Sequence, residues 1–234
     1  MNITEYLERI NKESQVIFKE TIRDSATLGK AHHLSSCIFE FSEFLFDIHE
    51  KEMLSAVSAQ LESASLSLSL GLYRQAFSSL RLAFEMGLGV TYFSINKMEH
   101  YEWIEGKMDI KWARLIDKEK GVLSIRFTNA FFSELTSIVD NYNLRATKVY
   151  RSLSEFVHGN YETWSKSGIQ IKSNPALINQ FFTQFYEVSE IILFVLCCRY
   201  LKSISKEGLE TMEFIPNEFN HITPIRTLFG GPTG

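Results

Sequence analysis

Apolar residues recur at intervals of three and four along most of the chain, the periodicity of helices that bury one face. Ile3, Leu7, Ile10 and Ile17 predict an amphipathic helix over residues 4–22, with Thr4 as its cap. After a break near Asp24–Gly29, the segment Leu34–Ile48 carries Cys37, Ile38, Phe41, Phe44, Leu45 and Ile48 at helical spacing. Glu50–Leu70 begins in the same way with Met53, Leu54, Val57 and Leu61, but Ser65–Leu70 alternates serine and leucine, which taken alone is a strand pattern. Its helical flanks and the lack of a preceding turn residue argue for a helix here too, in which small serines allow close packing. Gly71 ends that helix, and a long one over Leu72–Ile95 follows.

Residues 97–120 are charged and interrupted by Gly106, so they read as two short connecting helices with Trp103 and Trp112 as lids on the core. Ser124–Val139 is a further helix, and Asn141–Tyr142–Asn143 a turn into the helix that contains Tyr150–His158. Asn160–Asn174 is a loop, long for a compact domain. Pro175 opens a final helix over Ala176–Ser203, whose apolar run Ile191–Cys198 lies between Glu190 and Arg199 and, at eight residues, is too short to span a bilayer. The expected fold is all-α: an up-down helical bundle over residues 49–205, an extra N-terminal layer of accessory helices over 1–48, and a flexible C-terminal tail over 206–234.

Composition narrows the functional classes. The 234 residues are 45% hydrophobic and 22% charged with a formal charge of −4, so any contact with nucleic acid must come from a local basic patch. The three cysteines, two of them adjacent in an apolar run, suit buried thiols in a reducing cytoplasm, and the amino terminus lacks the pattern of a secretory signal. No metal-ligand spacing, phosphate-binding glycine loop or nucleophile elbow is found, so neither a metal nor a cofactor is expected, and no membrane partner.

The chemistry concentrates in Tyr150–Tyr161, YRSLSEFVHGNY. Arg151 and His158 are seven residues apart, roughly 700° of helical turn, which puts them on one face about 10 Å apart along the axis. On the same wheel Ala146, Val149, Tyr150, Leu153, Phe156 and Val157 form the apolar arc, while Lys148, Ser154 and Glu155 join Arg151 and His158 on the other side. Such a face is commonly a solvated one, with Arg151–Glu155 as an ordinary i,i+4 ion pair. Near a helix carboxyl end the dipole favours a protonated histidine, and a cationic His beside an Arg suits phosphate.

Tyr-Arg-x-Leu-Ser-x-Phe-Val-His-Gly resembles the signature helix of the HEPN family (higher eukaryotes and prokaryotes nucleotide-binding domains), whose motif is Arg, four to six residues, then His; here six intervene, Ser152–Val157. The resemblance implies an all-α bundle and a metal-independent endoribonuclease of toxin or antiphage type, with a composite site built from two such helices across a homodimer. It implies roles for Arg151 in stabilising transition-state charge and for His158 in proton transfer, with products ending in 2′,3′-cyclic phosphate and 5′-hydroxyl. Ser154 and Glu155 are supporting residues, and Arg81 and Glu85 on the Leu72–Ile95 helix face the motif helix and orient it. Arg145, Lys148, Tyr161 and Lys166 would extend the site along an RNA strand, with Trp164 as a further stacking candidate. A neutralising or regulatory protein partner belongs to the same reading. The alternative is a catalytically silent module of the same fold that binds nucleotide, RNA or protein. Ser152, where active members often have Asn, Asp or His, and the acidic chain favour that alternative.

Overall fold

The alternating serine–leucine hexad is helical. In the computed structural model, which describes residues 2–158 and 171–233 and of His158 the backbone only, it forms the last turns of α3 (Ile48–Ser69). The Ser69 hydroxyl donates to the Ser65 carbonyl, and Gly71 at φ +76° closes the helix: its N–H bonds the Leu68 carbonyl and the Leu72 N–H bonds that of Ser67. A Cβ on Gly71 would come within 2.7 Å of Ile17, so the same residue allows α1 (Ile3–Thr21) to approach.

Beside these lie α2 (Ser25–Ser42), α4 (Tyr73–Ile95), the short α5 (Lys97–Ile104), α6 (Trp112–Leu115) and α7 (Ile125–Phe131), then α8 (Thr136–His158) and α9 (Pro175–Tyr200). Among the described residues there is no strand, and the architecture is an all-α helical bundle. Helix α4 is its centre, packed on α3, α8 and α9. At Gly87 a Cβ would lie 2.6 Å from Ile192, so α4 and α9 meet closer than a side chain permits.

The structure corrects five element boundaries. Helix α1 starts at Ile3, capped by Asn2 and not by Thr4, because the Asn2 side chain accepts from the Glu5 N–H. Helix α2 starts at Ser25, because Asp24 accepts from the Thr27 N–H and caps it, so Gly29 lies inside a helix instead of a break. Its residues Cys37, Ile38 and Phe41 are part of the main core. Ile48 opens α3, where the Asp47 carboxylate accepts from the amides of His49 and Glu50. Asn141–Tyr142–Asn143 is no turn: α8 runs straight through it, and the break falls at Phe132. Asn143 is buried and its side-chain amide donates to the carbonyls of Ile116 and Leu123, so a residue with turn preference is satisfied inside a helix by tertiary partners. The C-terminal tail is folded as α10 (Lys206–Thr211), α11 (Phe214–Phe219) and α12 (Thr223–Leu228), burying Met212, Ile215, Phe219 and Ile225.

The last long helix exceeds its apolar octad. The segment Pro175–Ser203 is long and apolar enough to cross a membrane by length and composition, yet 78% of its most apolar window is buried against the other helices, which is the position of a core helix.

Candidate functional site

Rotation of α8 about its axis is fixed by three parallel ring stacks. Tyr142 lies on Phe194 of α9 with centroids 3.6 Å apart, Tyr150 on Trp112 of α6 at 3.7 Å, and Phe156 on Phe77 of α4 at 3.7 Å. The intervening Ala146, Val149 and Leu153 are buried along the same stripe. With that stripe inward, Lys148, Arg151 and Glu155 are exposed, and Ser154 is partly buried with its hydroxyl donating to the Tyr150 carbonyl at 2.8 Å. The helical backbone keeps positions 151 and 158 on one face. Arg151 and Glu155 do not form the i,i+4 ion pair that their spacing allows; among the described residues no carboxylate pairs with Arg151.

A second polar layer sits behind this face. Arg81 Nε bonds Glu85 Oε1 at 3.2 Å, the Arg81 guanidinium donates to the Tyr150 hydroxyl at 2.7 Å, and that hydroxyl donates in turn to Glu85 Oε1 at 2.7 Å. Arg81 also lies over the Tyr150 ring, 4.8 Å from its centroid, so the phenol is held between a cation and Trp112. Arg81 and Glu85 thus reach the motif helix through Tyr150, a residue the helical wheel assigned only to the apolar arc. Near the carboxyl end of α8, Arg74 donates to the Val157 carbonyl at 3.0 Å. Gln184, buried on α9, donates to the Ser152 hydroxyl at 2.7 Å.

Arg145 differs from the patch cation expected of it. Its guanidinium is engaged by Glu187 at 2.7 Å and Glu190 at 2.9 Å, and it lies over the Tyr142 ring. These bonds, first that to Glu187, raise its pKa further, so this charge is compensated within the fold and is no free contact for a nucleic-acid strand. Lys148 keeps its place beside Arg151 on the open face. Tyr161, Trp164 and Lys166 lie outside the described residues. Sequence reasoning missed Tyr150, Trp112 and Gln184; only the glutamine carried a signal, as a polar residue among Phe181, Phe182 and Phe185 of α9.

Among the described residues no group of three His, Cys, Asp or Glu is arranged to hold a metal. Comparison with family models, curated proteins and solved structures finds no match.

Burial raises the Tyr150 phenol above its ordinary pKa, with Glu85 adding to the rise and Arg81 opposing it; burial is likewise the main cause of the higher values of Tyr142 and Tyr200. Unfolded tyrosines ionise near pH ~10 while these keep their protons, so above that pH the unfolded chain binds fewer protons than the native one. The stability they contribute is fully present below pH ~10 and is lost as pH rises through the native values. Burial also raises the thiols of Cys37, Cys197 and Cys198, whose unfolded forms ionise near pH ~8.5, so thermal midpoints should begin to fall from about that pH and fall further above pH ~10, where the fall should be shallower in Tyr150→Phe; an equal fall in that variant above pH ~10 would separate Tyr150 from the effect.

Proposed function

We propose that the chain is a metal-independent endoribonuclease of HEPN type, acting through Arg151 and His158. The observation that carries the reading is Arg151: a permanently cationic fork, exposed and without a carboxylate partner among the described residues, on a helix whose rotation is fixed by three ring stacks. Position 158 follows on the same face in the last turn of α8. In this mechanism a ribose 2′-hydroxyl attacks the adjacent phosphorus, and the 5′-oxygen leaves. Arg151 stabilises the charge gathered on the non-bridging oxygens, and His158 transfers the proton. Arg81 and Glu85 act at one remove, holding Tyr150 and with it the phase of the helix.

A two-fold homodimer through α8 supplies the second set of cations. Leu144, 64% exposed, Lys148, Arg151 and Glu155 recur at spacings of four, three and four on the open face. Two such helices crossing antiparallel near Arg151 place Lys148 opposite the partner's Glu155, complementary charges that fix the register.

One observation favours the alternative of a silent binding module. The Ser152 hydroxyl accepts from Gln184 of α9, so position 152, where active members often have Asn, Asp or His, is engaged within the fold instead of facing the open surface with Arg151. The deciding experiment is incubation of the purified protein with end-labelled single-stranded RNA in excess EDTA, with mass read by light scattering. Fragments ending in 2′,3′-cyclic phosphate from a dimeric protein are the expected result. Intact RNA bound without cleavage supports the module, and neither binding nor cleavage by the dimer removes both readings.

A further inference from the structure

A cleft of about 280 Å³ opens between the start of α3 and the ends of α4 and α9, and it does not depend on the ribonuclease reading. Arg199, the last charged residue of α9, lines it. Its Nε donates to Ser94 Oγ at 2.9 Å, and its guanidinium carbon lies 4.4 Å from the Phe131 centroid and 4.9 Å from that of Tyr200. The side chain is therefore held in place. Arg9, Arg81 and Arg145 also lie over tyrosine rings, and each has a glutamate partner. Arg199 has none among the described residues, and only its Nε finds an acceptor. Its terminal nitrogens are not sealed in the core, so the in-plane Nη1/Nη2 edge, which can bind a carboxylate with two bonds, is left without an acceptor on a residue that lines the cleft.

The opposite wall decides the class of ligand. Lys97 bridges Asp47, at 2.6 Å, and Glu50, and the buried Glu50 also accepts from the Tyr200 hydroxyl at 2.8 Å. Lys97 is thus committed to two acids, and the four charged groups of the cleft sum to zero. A monoanion adds one charge beside Asp47 and Glu50, whereas a phosphate dianion adds two and meets more repulsion than one fork offsets. Phe44, Leu45, Phe46 and Ile204 give the cleft an apolar part beside Ser203, and Phe46 is 95% exposed at its edge although Leu45 next to it is turned inward. The volume is near the lower end of small-ligand pockets.

We propose that this cleft is a binding site for a small organic monocarboxylate with an apolar body, its carboxylate on the Arg199 fork and its body against Phe46. The test is an NMR titration of the uniformly ¹⁵N-labelled full chain with benzoate, with sodium chloride of equal ionic strength as the blank and inorganic phosphate as the second arm. Benzoate is expected to shift the Arg199 Nε–Hε signal and amides of residues 44–50 saturably. Arg199→Met should weaken it by about tenfold or more. Phe46→Ser, at a position too exposed to carry the fold, should weaken it several-fold and serves if Arg199→Met fails to fold. Shifts that do not saturate, that persist unchanged in the variants, or that phosphate reproduces at equal concentration would overturn the proposal.

Discussion

Phe156→Ala is expected to lower the unfolding free energy by about 3–5 kcal/mol, measured by urea denaturation at neutral pH. Phe156 is 1% exposed, and its ring lies parallel to Phe77, 8° between planes, while Phe181 meets the other side of this cluster edge-on at 5.5 Å from Phe77. Truncation removes a large buried side chain, leaves a void between α4 and α8, and forfeits the aromatic contact, itself about 0.5–1.5 kcal/mol beyond area burial. The cavity lies beneath the last turns of α8, so the face bearing positions 151 and 158 should loosen along with the core. Leu144→Ala on the same helix, 64% exposed, should stay within about 0.5 kcal/mol of wild type. A loss below about 1 kcal/mol for Phe156→Ala would mean that this stack does not hold α8.

Arg151→Ala should show the opposite pattern, a loss of RNA cleavage of about 100-fold or more with stability unchanged within about 0.5 kcal/mol. Removing one preorganised group aimed at transition-state charge has effects of this size, and the side chain is exposed with no partner among the described residues to leave behind. His158→Ala should lower cleavage by about 10²–10⁴-fold if it transfers the proton. Initial rates at saturating RNA, beside melting curves of the same preparations, separate the effects. Cleavage that survives Arg151→Ala would place the activity elsewhere on the chain, and cleavage lost only in proportion to stability would make Arg151 a structural residue.

Fold class and the open face of the motif helix were legible because both depend on one local quantity, the 3.6-residue period. Arg81 and Glu85 sit at i,i+4 and pair, whereas Arg151 and Glu155 at the same spacing do not, so the spacing shows that a pair can form and not that it does. The serine–leucine hexad shows the limit of a period read over six residues, since the flanking turns and the cap at Gly71 hold it in a helix. What the chain could not disclose by itself is which side chain each polar group meets on another helix. Asn143 reads as a turn residue until the carbonyls of Ile116 and Leu123 are brought to it, and the C-terminal residues read as a loose tail until Met212, Phe219 and Ile225 find the bundle. Arg145 and Arg151 are six residues apart on one helix and alike in sequence, yet α9 brings Glu187 and Glu190 to the first and leaves the second open. Period and capping are set by neighbours a few residues away and are therefore written in the sequence. Compensation of a charge depends on the rotation and approach of whole helices, and at this site those were decided by ring stacks between residues dozens of positions apart.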